Sequence, residues 1–256
     1  MKIIKKAIVT LLKQLDLGSA IAVRLTKYTG KSKTFVHPKH LLSPNPWFMK
    51  FIERSDIVLD LGCGYGQNSL KIAGKAKKVL GVDFDFNLLK LAIISANQKK
   101  IRNAKFENLD LEQKLSFEDK LFDKIILLDV LEHIKKRDRL LNETKRVLKP
   151  KGLAIIGVPN SKTSWKKFQR SAGLCSFSDP DHKIEFSEHS IKKLLSDHNL
   201  KIVHFEYDAY DTPLRGLFDI IGAVSLILYK MTLNWRLRLA RNYPNEASGF
   251  RIVVSK

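Results

Sequence analysis

The chain has 256 residues, 44% of them hydrophobic, which is enough for one full α/β domain with a buried core. Its 46 Lys and Arg against 26 Asp and Glu leave a net charge of +20, a balance that favours phospholipid headgroups, nucleic acid or phosphorylated substrates over cationic partners. Two cysteines, Cys63 and Cys175, with no CxxC pair, argue against a cysteine zinc site, against a disulfide framework and for a reducing compartment; no metal is expected.

Residues 1–50 form a basic zone with ten Lys or Arg and one acid. Ile3, Ile4, Ala7, Ile8, Leu11, Leu12 and Leu15 recur at helical spacing, while Lys2, Lys5, Lys6 and Lys13 take other positions. A basic amphipathic helix of this kind suits an anionic membrane surface; the alternative is a lid over a site, its apolar face packed on the core. Lys13, Gln14 and Asp16 interrupt the apolar run, so it does not read as a secretory signal. No stretch reaches the ~18 uninterrupted apolar residues of a spanning helix. The expected location is the cytoplasm, with peripheral attachment at the inner face of a membrane as its extension.

From 51 to 208 strand and helix signals alternate. Apolar, β-branched runs fall at Ile57–Leu61, Lys78–Val82, Ala104–Asn108, Lys124–Leu128 and Leu153–Val158. Helical patterns lie between them, at Asn87–Lys99 with Leu88, Leu91, Ala92 and Ser95 on one face, and at Leu131–Leu148. Continuous apolar strands separated by helices predict a parallel sheet covered on both faces. "LKPKG" reads as a stop before the fifth strand, and Ser187 as the N-cap of a helix to about Asn199. Strands at Ile202–Tyr207 and Phe250–Ser255 bracket residues 209–248, an insertion-like segment. There an apolar stretch, Leu217–Tyr229, is broken by Asp219 and leads to Trp235 with Lys230, Arg236, Arg238 and Arg241. It suits a membrane interface, a pocket for a lipid-linked substrate, or an ordinary buried helix.

The first central strand runs into "LDLGCGYG". At the carboxyl end of a sheet strand, glycines permit unusual backbone angles and close approach of a ligand. A triphosphate loop needs a lysine that is missing after Gly66, and a dinucleotide loop needs glycine where Gln67 stands. What remains is GxGxG preceded by Asp60, whose carboxylate repels a pyrophosphate and attracts a cation. S-adenosylmethionine carries an ammonium and a sulfonium and no phosphate, so it fits this turn.

"VLDLGCGYG", "VLGVDFD", "FENLDLEQ", "FDKIILLDVLEHI" and "LKPKGLAIIGVPN", in this order, resemble the class I S-adenosylmethionine-dependent methyltransferases, with closest likeness to the branch acting on quinone precursors, sugars and lipids. The resemblance spans about residues 51–208. It implies a Rossmann-like, mostly parallel seven-stranded sheet of order 3-2-1-4-5-7-6, last strand antiparallel, with helices on both faces. It implies a methyltransferase domain over 51–256 with a 209–248 insertion, which together with the separate basic helical region 1–50 covers the substrate. It also implies roles. Asp60, Gly62, Cys63, Gly64 and Gly66 match the loop around the methionine portion. Asp83 matches the acid that accepts from the ribose hydroxyls, at the spacing of about 20 residues expected for such an acid. Phe84 matches a packing position beside the adenine, Asp110 with Leu111 the contact to its amino group, and Asp129 the end of the fourth strand beside the sulfonium.

Methyl transfer to oxygen needs a base near neutral pH, and His133 in "DVLEHI" and His182 in "DPDHKIEFS" are the candidates, ahead of Glu132 and His189. The Asn/Asp-Pro-Pro-aromatic motif of nucleic-acid amino methyltransferases is missing, and Cys175 has no recognisable nucleophile motif, so nucleic acid ranks below a small-molecule or lipid-linked acceptor. The expected function is methyl transfer from S-adenosylmethionine to oxygen of a quinone precursor, glycolipid or saccharide. An RNA methyltransferase and a non-catalytic peripheral membrane protein are the rival readings.

Overall fold

The structure is a computed structural model. It describes every residue except Met1, Asp16, Lys33, Thr34 and residues 43–45, and the side chains of Lys2 and His40. Two positions used above, Lys2 as a cation and Asp16 as an interruption, therefore lie outside the described side chains. In chain order the helices and strands are α1 (Lys2–Gln14), α2 (Leu17–Tyr28), α3 (Pro38–Leu41), β1 (Ile57–Leu61), α4 (Gln67–Ala73), β2 (Lys78–Asp83), α5 (Phe86–Gln98), β3 (Ala104–Asn108), β4 (Phe122–Leu128), α6 (Arg137–Val147), β5 (Leu148–Pro159), α7 (Ser164–Ser171), α8 (Glu188–Asp197), β6 (Lys201–Tyr207), α9 (Arg215–Val224), α10 (Leu226–Asn242) and β7 (Gly249–Ser255). They form two compact units.

The sheet unit comprises Asn45–Pro159, Asp181–Glu206 and Phe250–Lys256. Its seven strands take the order β3-β2-β1-β4-β5-β7-β6, with β7 antiparallel, as the resemblance implies. β1 runs parallel to β2 and β4, β2 to β3, and β4 to β5, so the carboxyl ends of five strands share one edge. Both faces of the central strands β1, β4 and β5 are covered, which is why these read as apolar runs. The core joins Phe48, Met49 and Ile52 to Val58, Ile72, Val79, Ile126, Ile155 and Val253.

Three expectations are corrected here. The helix predicted over Leu131–Leu148 starts only at Arg137. The carbonyl of Glu132 accepts from the N–H groups of Lys183 (2.7 Å) and Ile184 (3.3 Å), so it is taken by another segment and cannot serve a helix. "LKPKG" does not separate helix from strand: β5 begins at Leu148, directly after α6. Register slips there, from Phe122 opposite Leu148 to Lys124 opposite Leu153, and the irregularity absorbs Pro150 and Gly152. In α5 the buried face is Leu89, Ala92 and Ala96, and Leu91 is exposed, because Asp85 caps the helix at Asn87 and Leu88 and sets its phase. The predicted cap at Ser187 stands, as a reciprocal capping box with Ser190.

The helical unit comprises Met1–Pro44, Asn160–Pro180 and Tyr207–Gly249. α2 crosses α9 so closely that a Cβ on Gly18 would lie 2.6 Å from the Gly216 carbonyl. Asp219, which breaks the apolar run in the sequence, is a buried hub. It accepts from Ser19 Oγ (2.5 Å) and Tyr229 OH (2.8 Å) and pairs with His37 Nε2 at 3.1 Å, joining α2, α9, α10 and the residue that caps α3. Burial pushes its pKa up, but these partners outweigh burial and hold the carboxyl below its usual range. α10 turns Tyr229, Arg236 and Ala240 inward. Arg236, which the membrane-interface alternative would place at headgroups, is buried and donates from Nε and Nη2 to the Tyr210 carbonyl at 2.9 and 2.8 Å. The apolar face of α1 is not packed inward either: Val9 is its buried residue, and Ile3, Ile4, Ile8 and Leu11 are exposed. Among the described residues no helix is long and apolar enough to cross a membrane.

Candidate functional site

The candidate site gathers at the carboxyl edge of β1, β2 and β4. After β1 the chain makes a turn in which Gly62, Gly64 and Gly66 have φ of +69°, +52° and +76°, a region closed to most side chains. Each glycine answers a different constraint. A Cβ on Gly62 would lie 2.6 Å from Val130 Cγ2, and one on Gly66 would meet Ala92 and the Phe106 ring at 2.8 and 2.9 Å. A Cβ on Gly64 would meet nothing within 4 Å, so this residue borders open space. The N–H groups of Gly62 and Cys63 both donate to the Val82 carbonyl, which anchors the turn to β2.

Asp83 closes β2 and is buried. Its Oδ2 accepts from the Gly64 N–H at 2.8 Å and its Oδ1 from the Asp85 N–H at 2.9 Å, so one carboxylate ties the glycine turn to the start of α5. Each oxygen keeps further lone-pair capacity. Asp60 is buried behind the turn and accepts from Ser69 Oγ at 2.5 Å. Burial first, and the nearby Asp83 charge, push its pKa up to about 7 in spite of that hydrogen bond. Burial likewise pushes the Cys63 thiol far up, which leaves it a packing residue with no thiolate character.

The other predicted positions are spread around this edge. Phe84 is 77% exposed and follows Asp83 directly. Asp110 is exposed and accepts from the Glu112 N–H at 2.8 Å, which shapes its turn, while Leu111 is buried. Asp129 is exposed, with a left-handed φ of +59° and its N–H bound to the Gly157 carbonyl. Two residues escaped the sequence reading. Asn108 Nδ2 donates to the carbonyls of Asp83 (3.0 Å) and Phe84 (2.8 Å) and fixes the direction in which both leave β2. Gln67 Oε1 is buried next to Gly66 with no hydrogen-bond partner among the described residues.

Past β4 the sheet unit brings both candidate bases together. The rings of His133 and His182 meet edge to face, 4.7 Å between centroids. His182 Nδ1 lies 3.1 Å from Glu185 Oε1, and its Nε2 lies 3.9 Å from Glu132 Oε1. Glu132, His182 and Glu185 are buried, and His189 is exposed away from the group as the second residue of α8. Donor atoms of Glu132, His133 and His182 lie within 4.8 Å of one another, a grouping that no spacing in the sequence reveals. Such a cluster can take up and pass on a proton, and its residue types are also those of metal ligands.

Within the helical unit a cavity of about 590 Å³ is lined by Lys13, Trp165, Lys166, Phe177, Asp211 and Arg215, among others.

A family model described as a methyltransferase domain matches residues 52–206. The chain is similar to a demethylmenaquinone methyltransferase of Lactobacillus johnsonii, 30% identical over 210 residues that cover 73% of this chain and 83% of that one. It is similar to the sterol 4-C-methyltransferase of Caenorhabditis elegans, 31% identical over 158 residues, 54% of this chain; the match spans less than half of that relative, 44%. Among solved structures, a SAM-dependent methyltransferase from Methanosarcina mazei shares the fold at a TM-score of 0.57 and 22% identity, covering 83% of this chain and 97% of that one. With the family model matching more than half the chain, and over the very stretch that carries the glycine turn, Asp83 and the strand-4 edge, the chain belongs to the class I S-adenosylmethionine-dependent methyltransferases, and S-adenosylmethionine is its cofactor.

Proposed function

We propose that this enzyme methylates an oxygen on a small or lipid-linked acceptor, such as a quinone precursor, a glycolipid or a saccharide, at or near the inner face of a membrane. The observation that carries the oxygen acceptor is the cluster of half-buried His133 with buried His182, Glu132 and Glu185. A hydroxyl attacks far better as an alkoxide, and a histidine is the side chain suited to take its proton near neutral pH. With Glu185 Oε1 against Nδ1, His182 is held in one orientation, and its Nε2 is presented to the same space as Glu132 and His133. In this reading the cluster acts by proton transfer.

The residues of the strand edge fit the cofactor. The unpartnered buried Oε1 of Gln67 suits an N–H donor, and the open space at Gly64 suits backbone approach. Asp83 would hold the ribose hydroxyls with its remaining lone pairs, and Phe84 would pack on the adenine. Asp110 and Leu111 would border the adenine, and Asp60, behind Gly62, Cys63, Gly64 and Gly66, would offer its charge to the ammonium. Asp129 would lie on the side of the sulfonium. When bound, S-adenosylmethionine supplies a methyl group already activated by its sulfonium leaving group. The protein's part is then to align the acceptor, exclude water and remove one proton.

Within the helical unit, the cavity lined by Trp165 and Phe177 with Lys13, Lys166, Asp211 and Arg215 suits a small molecule with an apolar body and polar groups. The deciding experiment feeds methyl-labelled S-adenosylmethionine to the enzyme with a whole-cell extract and separates lipid, small-molecule and nucleic-acid fractions. Alkali-stable label on oxygen in the lipid or small-molecule fraction is expected; label in the nucleic-acid fraction would overturn the acceptor class.

A further inference from the structure

We propose that the helical unit docks on an anionic lipid bilayer through the outward faces of α1 and α10. The proposal rests on the membrane placement given above and supplies the surface for it.

Both helices turn cations partly inward and leave large apolar side chains exposed. On α1 the inward side carries half-buried Lys5 and Lys13 around Val9. Lys5 Nζ lies 5.0 Å from the Phe168 ring centroid, Lys13 Nζ donates to the Cys175 carbonyl at 2.5 Å, and Val9 sits between them fully buried. The opposite side carries Ile3, Ile4, Ala7, Ile8 and Leu11, and Ile3 and Leu11 are 85% and 67% exposed. α10 repeats the pattern. Tyr229, Arg236 and Ala240 are buried, half a turn away from Ile227, Leu228, Met231 and Trp235, which are exposed. Ile227, Met231 and Trp235 recur every four residues, so they form one stripe. Lys230, Arg238 and Arg241 are exposed beside it.

Burying a cation while exposing isoleucine and tryptophan is unfavourable in water alone. It is the arrangement expected of a helix whose apolar side meets acyl chains and whose flanking cations meet phosphates, with tryptophan at headgroup level. Charge decides between possible occupants. The three segments of the helical unit hold eighteen Lys and Arg against six acids, so it carries twelve of the chain's twenty net positive charges. A second copy of the same face would be repelled; an anionic bilayer is attracted by about 1 kcal/mol per basic residue near its surface.

The test is sedimentation of the full chain with vesicles of phosphatidylcholine containing about 30% phosphatidylglycerol, and with phosphatidylcholine alone, each in low and high salt. Binding to the anionic vesicles is expected, weaker by about tenfold or more on neutral ones. Ile4→Gln/Leu11→Gln and Ile227→Gln/Met231→Gln, at exposed positions that leave the fold intact, should each weaken binding by about tenfold or more. Affinity for S-adenosylmethionine, measured by calorimetry, should not change. The proposal is overturned if the wild type ignores anionic vesicles while binding cofactor normally, or if both double variants bind as tightly as wild type. It is also overturned if these faces prove to be buried in a dimer that the glutamine variants dissociate. Vesicle binding without cofactor binding would leave the proposal standing and sink the functional reading instead.

Discussion

Asp83 is both a structural clamp and the proposed ribose acceptor, and the two roles separate by substitution. Asp83→Ala leaves the Gly64 and Asp85 N–H groups without their partner and should weaken S-adenosylmethionine binding by about a hundredfold. Asp83→Asn keeps one acceptor oxygen and should lose less; equal affinity in all three proteins, by calorimetry, would remove the ribose assignment. Asp60 makes a pH prediction of definite sign. With its pKa raised from 3.8 to about 7, the native state keeps a proton that the unfolded chain has already lost. Its contribution to stability is therefore complete below about 4 and is lost as pH rises towards 7. Cofactor affinity runs the other way: it should rise through pH 7 as the carboxylate becomes charged, and Asp60→Asn should flatten both profiles. At the proposed base, His182→Ala should lower kcat by about a hundredfold or more, Glu185→Gln should shift the pH–rate profile, and neither EDTA nor added divalent cation should change the rate. Dependence on a metal would reassign the Glu132, His133 and His182 donors as ligands. At this scale the sequence was most informative where backbone geometry restricts residue type, as at Gly62, Gly64, Gly66 and Asp83. It was silent where function depends on a contact across the sheet, as with Asn108 reaching the Asp83 carbonyl, or on an orphan atom such as Gln67 Oε1.

Elements were legible where burial follows one period and failed where another segment competes for the backbone. β1 lies where the apolar run predicts it, because the strand is buried on both faces; β3 is found at its predicted bounds although it is largely exposed. α6 starts late because residues 183 and 184 take the Glu132 carbonyl, a competition between segments far apart in the chain. α1 was recognised as amphipathic, yet which face turns inward is invisible without its neighbours, Phe168 and Cys175. Packing at the glycine crossings gives a stability prediction. Gly66→Ala puts a Cβ against Ala92 and Phe106 at a positive φ, and should cost about 1–3 kcal/mol in denaturant unfolding. In the helical unit, Asp219→Ala strands Ser19, Tyr229 and His37 around a vacated hub, with a loss of about 2–4 kcal/mol. The Asp219 carboxyl has a lowered pKa, so what it contributes is present above about pH 4 and vanishes on further acidification in wild type alone.

At the scale of the whole molecule the sheet order was readable, through the five motif blocks, and the division into units was not. The helical unit draws on three stretches, and nothing in composition marks Asn160–Pro180 as belonging with the two others. Charge was readable as a total and as a basic zone over residues 1–50, but not in its share per unit, which depends on that division. The strand order also has a consequence for how the protein is made. β7 lies between β5 and β6, yet it follows both in the chain. While a ribosome is still translating the residues before Gly249, β5 and β6 each present an unpaired edge. Synthesis therefore passes through a nascent-chain stage open to edge-to-edge association, in which chaperone capture competes with aggregation until the final strand slots into the gap.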